Sequence, residues 1–311
     1  MFFKHIIFNL MNSNRIIWFK DKFINEYEAK IPLMSPTAQF GLNVFEGIRC
    51  YFSKTNKKLL LFRVDDHIHR LYDSAQSIGL IINHEKTLIK KNIIESIKRN
   101  KFKSDSIMRV IAFVDQPGSW TQKYNAEIVI VPRLYGRAYE EKSSLTLHMS
   151  NWERINNNSM PPTIKSGANY INSRIAHLDA QKNGFDTSVL LNNQGTIAES
   201  TGSCIFIIKD EKLITPPITS SILDSITRKT IIEISAKILN LKVEIKDITK
   251  NDLINSDEVF LCGTSIEVFP VSRINDSMFK LGKITQQIKK LYMALVRGEI
   301  KEYDNWLTLI N

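Results

Sequence analysis

Lys165 stands in TIKSGANYINSR (163–174), between a short apolar approach and Ser166-Gly167-Ala168, small residues that let another object come close to the backbone. A free lysine has a pKa of about 10.4 and is a poor nucleophile at neutral pH, and burial or a Schiff base is what makes its nitrogen reactive. Glu199 lies in TIAESTGS, after a hairpin pattern and before Gly202, where a carboxylate can hold a pyridinium nitrogen protonated. Ser225-Ile226-Thr227 opens a helix whose free N–H groups suit a phosphate, and Gly263-Thr264-Ser265 makes a second turn of that kind. Arg70 adds a charge-assisted clamp. Taken singly, each has an ordinary reading: a loop lysine, a solvated carboxylate, a helix cap, an arginine beside an apolar stripe. Together, one amine, one acid, one arginine and two anion turns form a kit for pyridoxal phosphate.

The elements that must position these residues are read from periodicity. RIIWFKDKFI (15–24) predicts a hairpin about Lys20-Asp21, and KLLLFRV (58–64) a buried strand. Ile68, Leu71, Ala75 and Ile78 recur at helical spacing, with Asp65 or Asp66 as the expected N-cap and Gly79 as the stop. A helix over about 87–101 and strands at 106–114 and 126–132 follow. RLYGRAYEEKSS (133–144) breaks the pattern, which predicts a first unit over 1–132, a link over 133–144 and a second unit over 145–311. In the second unit, hairpins are expected at 187–200 and 204–215, a Ser225-capped helix to Leu239, two strands within 257–271 and a last helix over 284–296.

Bulk properties narrow the function. At 311 residues, 43% hydrophobic and 24% charged, the chain is an ordinary globular one. The net charge of +10 is spread along the chain, and the densest run, 90–103, carries Ile93, Ile94 and Ile97 at helical spacing. It reads as a solvated helix face, so no nucleic-acid partner is expected. Cys50, Cys204 and Cys262 have no paired spacing, which argues for a cytoplasmic protein with neither a disulfide framework nor a zinc site. His67 and His69 are two apart and cannot face one metal on a helix, so no metal site is expected. No membrane span or signal peptide is expected, and Met11 is an alternative start to Met1.

The ordered blocks FGLNVFEGIRCY (40–51), HIHRLYDSA (67–75), SNWERI (150–155), KSGANY (165–170), TPPITSSILDSITR (215–228) and DEVFLCGTSIEVFPV (257–271) resemble those of branched-chain amino-acid aminotransferases of the fold-type IV pyridoxal-phosphate class. The resemblance runs from about Ile16 to the C-terminus. It implies an α/β fold with a small N-terminal α/β domain, a larger C-terminal pseudo-barrel domain and pyridoxal 5′-phosphate between them. It further implies a homodimer or higher homo-oligomer. Lys165 matches the lysine of the internal aldimine, which also shuttles the substrate proton. Tyr170 matches the tyrosine by the cofactor's phenolic oxygen, and Glu199 the acid on the ring nitrogen. Arg70, Ile226, Thr227 and Thr264 match the phosphate cradle. Thr264 and Ser265 match the turn that meets the substrate carboxylate. Phe40, Phe45, Gly47 and Arg49 fall on the substrate side, and Arg109 matches the arginine that receives the side-chain carboxylate of glutamate.

The implied reaction transfers an amino group between an L-amino acid, foremost Leu, Ile or Val, and 2-oxoglutarate. The chain departs from the family where Phe40 and Ile107 replace tyrosines, where Ser200-Thr201-Gly202-Ser203-Cys204 replaces G-x-G-E-N, and where Ser225 replaces a glycine. Serine caps helices well, so the cradle survives. Lost tyrosine hydroxyls can redirect substrate choice. An aminodeoxychorismate lyase or a D-amino-acid transaminase of the same fold stays open, and so does a binding protein that keeps the fold without the chemistry.

Overall fold

The computed structural model describes residues 14–55, 57–134, 138–139 and 141–310. Met11 and the N-terminal apolar patch lie outside the described residues, as do Tyr135, Gly136, Arg137 and Glu140 of the expected link.

β1 (Ile16–Phe19) and β2 (Lys22–Asn25) form the hairpin, with Lys20 and Asp21 at φ 49° and 65° as a two-residue turn between twisted strands requires. α1 (Pro36–Phe40), for which periodicity gives no signal, is started by the Ser35 hydroxyl accepting from the Ala38 N–H and by Pro36, and stopped by Gly41. β3 (Asn43–Ser53) and β4 (Lys58–Phe62) lead into α2 (Val64–Ser77) and α3 (Lys86–Arg99), then β5 (Ser106–Phe113) and β6 (Glu127–Leu134). α2 departs from expectation at its start. Its N-cap is Arg63, left-handed and without a side-chain cap, and Asp65 and Asp66 sit in the first turn instead, where their charge suits the helix dipole. The cause lies elsewhere in the chain, because the Arg63 N–H donates to the Trp306 carbonyl and its guanidinium to Thr230 and Asp66.

The second half runs β7 (Leu145–Met149), α4 (Tyr170–Lys182), β8 (Thr187–Leu191), β9 (Ile197–Ser200), β10 (Cys204–Lys209), β11 (Lys212–Thr215), α5 (Ile226–Lys237), β12 (Val243–Ile245), α6 (Lys250–Ile254), β13 (Glu258–Gly263), β14 (Glu267–Ile274) and α7 (Lys283–Val296). Last comes β15 (Leu307–Ile310). The architecture is mixed α/β. A seven-stranded sheet has the order β15-β4-β3-β5-β6-β1-β2, and a nine-stranded sheet runs β9-β8-β7-β14-β13-β10-β11-β12 with a two-residue strand beside β14. The C-terminal strand therefore returns to the first sheet, pairing antiparallel with β4.

Cores form on both sides of each sheet contact. Val44, Ile48, Met108 and Val110 pack against Ile68, Leu71, Ile89 and Ile93 of α2 and α3. Tyr51 and Phe62 of the first sheet share a core with Phe206, Phe260, Tyr292 and Leu295 of the second half, so the two sheets are joined by apolar contact as well as by chain. Among the described residues no helix is long and apolar enough to cross a membrane.

The segment that carries Lys165 is docked on β3 by its backbone. The Phe45 N–H donates to the Lys165 carbonyl at 3.0 Å, and the Gly167 N–H to the Asn43 carbonyl at 3.2 Å. A Cβ on Gly167 would lie 2.6 Å from Asn43 Oδ1, whose amide is itself held by the Gly41 carbonyl. Gly167→Ala is expected to lower stability by about 1–3 kcal/mol, as overpacking does. A thermal melt unchanged from the parent would refute this close approach.

Candidate active site

One cavity of about 270 Å³ lies between the sheets. Its walls follow from strand parity. On β3 the even residues Val44 and Ile48 point into the helix-covered core, so Phe45 and Gly47 face the other way, into the cavity. Opposite them on β5, Arg109 pairs with Gly47 and Ile107 with Arg49, and Ile107 and Arg109 line the same wall. The Arg109 guanidinium lies 4.4 Å from the Phe45 ring centroid.

Lys165 enters this space from its docked segment, with its own N–H held by the Ser74 hydroxyl of α2 at 3.1 Å. Its Nζ donates to the Tyr170 Oη at 2.7 Å and lies 5.1 Å from the Phe45 ring centroid. Tyr170 is the first residue of α4, so five positions of chain turn its hydroxyl back on the amine.

Glu199 sits on β9, buried to 4% exposure. Its Oε1 accepts from Arg154 Nε at 3.0 Å and from the Leu223 N–H at 3.3 Å, and the Cys204 thiol lies 3.7 Å from Oε2. Arg154 is in turn held by Asn172 Oδ1. Two contacts on Oε1 and one on Oε2 fix the carboxylate, and Glu199 lines the cavity. Removing either partner of such a buried pair costs about 3–5 kcal/mol.

The anion turns are both present. Ser225 caps α5, its hydroxyl accepting from the Arg228 N–H, which leaves the Ile226 and Thr227 N–H groups in the first turn without intrahelical acceptors. Ile226 lines the cavity, whereas the 3% exposed Thr227 does not, and its side chain hydrogen-bonds the buried Tyr292 hydroxyl. Gly263, Thr264 and Ser265 close the far wall. The Thr264 and Ser265 carbonyls accept from the Arg49 guanidinium, at 3.1 Å and 3.4 Å. Arg49 therefore braces the turn from behind and does not line the cavity.

Arg70 reaches the cavity from α2 and is gripped by Glu46. The carboxylate takes Nε at 2.7 Å and Nη2 at 2.9 Å, and His67 Nδ1 lies 2.7 Å from the same Oε2. Burial favours the neutral carboxyl, but the charges and hydrogen bonds of Arg70 and His67 outweigh it and hold Glu46 far below the usual carboxylate range. Burial likewise pushes His67 below its ordinary value, against the pull of Glu46, so the imidazole is neutral and its Nδ1–H is the donor.

Besides Arg49 and Thr227, one further expected site residue lies away from the cavity. Phe40 ends α1 at 48% exposure and does not line the cavity. Its helix stops beside Ala168, outside the walls that β3 and β5 supply. Glu46 and Arg154 had no assigned role in the sequence, although both lie inside motif blocks. Their partners are 24 and 45 positions away, and nothing local announces the pairing. The three cysteines are buried thiols whose burial pushes them up, Cys50 to about 12 and Cys204 and Cys262 higher still.

Residues 43–274 match the family described as amino-transferase class IV. The chain is 34% identical over 297 residues to a probable branched-chain-amino-acid aminotransferase of Aquifex aeolicus, covering 94% of this chain and 95% of that one. It is 31% identical over 304 residues to the branched-chain-amino-acid aminotransferase of Escherichia coli K12, covering 95% and 97%. Among solved structures, the branched-chain aminotransferase of Thermoproteus uzoniensis with norvaline superposes with a TM-score of 0.92 at 32% identity, covering 96% of this chain and all 100% of that one. The Thermobaculum terrenum enzyme in its PLP form gives 0.91 at 35% identity, covering 96% and 99%.

Glu46 and His67 both bind protons less readily folded than unfolded, so the stability they confer is complete above the unfolded values and lost on acidification. The melting temperature is expected to fall below about pH 6.5 as unfolded His67 protonates, and more steeply below about pH 5. In Glu46→Gln the second, carboxylate part of that fall should shrink. An identical acid profile for both proteins would contradict the assignment.

Proposed function

The chain belongs to the amino-transferase class IV family, enzymes that work with pyridoxal 5′-phosphate, and from that premise we propose transamination between branched-chain L-amino acids and 2-oxoglutarate in this cavity. The observation that carries the reading is the Lys165 amine at 2.7 Å from Tyr170 Oη in one cavity with a buried carboxylate and a helix N-terminus.

The residues present fit the cofactor. A buried carboxylate lining the cavity suits a ring N–H, two open N–H groups at the start of α5 suit a phosphate, and a primary amine in the same cavity suits an aldehyde. Bound there, the cofactor supplies an electrophilic carbon and an electron-withdrawing ring that makes the substrate Cα proton removable. Lys165 would supply the amine that links the cofactor aldehyde, and its Nζ would take and return the substrate Cα proton. Tyr170 Oη orients that nitrogen by their hydrogen bond. Glu199, held by Arg154, would pair with the ring nitrogen of the cofactor. Arg70 and the N–H groups of Ile226, Thr227 and Thr264 bind the phosphate.

Substrate binding is assigned to the opposite wall. Phe45, Gly47 and Ile107 offer an apolar face to a branched aliphatic side chain, and the turn at Thr264 and Ser265 receives the α-carboxylate. Arg109 takes the distal carboxylate of 2-oxoglutarate. Ile107 stands where tyrosine is usual, which leaves this wall free of one hydroxyl and favours aliphatic side chains over polar ones.

We further propose the division into units over 1–132 and 145–311 joined by 133–144, with the cofactor between them, and association into a homodimer. The dimer is supported by the exposed apolar stripe Ile171, Ile175 and Leu178 on α4. Three free, buried thiols fit a reducing cytoplasm.

The purified holoenzyme is expected to lose its yellow absorbance on adding L-leucine, L-isoleucine or L-valine, and to regain it with 2-oxoglutarate. Lys165→Ala should abolish turnover. Normal turnover in that variant would sink the mechanism, and pyruvate release without 2-oxoglutarate would transfer the assignment to a lyase.

A further inference from the structure

Glu46 is a charged side chain buried to 0% exposure in the core face of β3, and the reaction as derived gives it nothing to do. Both of its oxygens are occupied, Oε1 by Arg70 Nε and Oε2 by Arg70 Nη2 and His67 Nδ1. His67 and Arg70 stand one turn apart on α2, so a single carboxylate clasps one face of that helix against the strand. Arg70 Nη1 donates to the carbonyl of Asp224, the residue before the cap of α5, at 2.9 Å. Three of the five guanidinium N–H bonds are thereby committed. The two that remain belong to a group that lines the cavity beside Ser225 and Ile226.

We propose that Glu46, backed by His67, is the positioning residue for phosphate recognition: it locks the Arg70 guanidinium in the one orientation that presents its two uncommitted N–H bonds beside the first turn of α5. This rests on the reading that Arg70 binds the cofactor phosphate. An arginine has much rotamer freedom to lose on forming such contacts. A planar, bidentate carboxylate removes that freedom before the ligand arrives. Glu46 also repels a phosphate, but its charge is matched at contact distance by Arg70, so the orientational effect is the larger. The neutrality of His67 keeps the cluster from carrying a second cation that would hold phosphate by charge alone.

The test compares two probes on the full-length protein, pyridoxal 5′-phosphate and pyridoxal, which lacks the phosphate. Glu46→Gln is expected to weaken pyridoxal phosphate by about tenfold or more, the range for losing a charge-assisted contact, and to leave pyridoxal nearly unchanged. Glu46→Asp retains the charge but is one methylene shorter and cannot reach both nitrogens, so an intermediate loss is expected. That variant also serves should Glu46→Gln fail to fold. Equal losses for both probes would show a general structural role, and unchanged or tighter pyridoxal phosphate binding would show that Glu46 only balances charge. Either result overturns the proposal. Arg70→Lys separates it from its premise: a selective loss for pyridoxal phosphate supports Arg70 as the clamp, whereas no loss removes Arg70 from the phosphate site and the premise falls with it.

Discussion

The backbone pairing between the Lys165 segment and β3 is the contact on which the rest of the site depends. Two N–H···O bonds, which together make the bridge between Val44 and Ser166, join a loop of the second half to a strand of the first. Backbone groups have fixed geometry, so this contact sets the lysine against Phe45 to within the tolerance of a hydrogen bond. It also explains the small residues that follow the lysine. Gly167 has no room for a side chain against Asn43, and Ala168 lies against Gly41. A bulky residue at either position would lift the segment off the strand and carry the amine away from Tyr170.

Around that contact the cavity is framed by three buried glutamates, each matched to an arginine from another element. Glu46 pairs with Arg70 and Glu199 with Arg154 at hydrogen-bond distance, and Glu267 lies 3.8 Å from Arg49. Desolvation makes such pairs costly, and a hydrophobic trio of the same volume would be no less stable. Their effect here is directional. Each arginine spends part of its fork on a carboxylate and part on a neighbouring backbone or amide oxygen: Asp224 for Arg70, Asn172 for Arg154, Thr264 and Ser265 for Arg49. The walls are therefore held at fixed angles by planar groups, which suits a site that must align a lysine with a rigid ring. The surface pairs, such as Arg99 with Glu95 and Lys237 with Glu233, lack both the burial and the second partner, and their contribution is small.

Much of the framework was legible because it is written locally. The Lys20-Asp21 turn, the α2 stripe of Ile68, Leu71 and Ala75, the Ser225 cap and the strands either side of Gly263 each rest on residues a few positions apart. The motif blocks, which carry residue types and order, also held Lys165, Tyr170 and Ile226, and these residues line one cavity with Glu199 of TIAESTGS. β3 was not read as a strand, because Glu46, Gly47 and Arg49 interrupt its apolar pattern, yet it is the wall that both the lysine and Arg109 meet. The α2 cap was misread because Arg63 answers to Trp306 and Thr230, far along the chain. Phe40 was placed by motif alone, and its helix ends outside the cavity walls.

By itself the sequence determined the chemistry available and most of the elements that carry it: a lysine able to link a carbonyl, a carboxylate after a hairpin, and N–H groups at a helix start. Only the tertiary structure decided that Arg154 meets Glu199, what grips Arg70, and why Arg49 stands behind a turn. Those choices join residues 45, 24 and 215 positions apart. Local periodicity encodes the face a side chain takes on its own element. The partner it meets there depends on strand register and on the packing of elements that the chain brings together only when it folds.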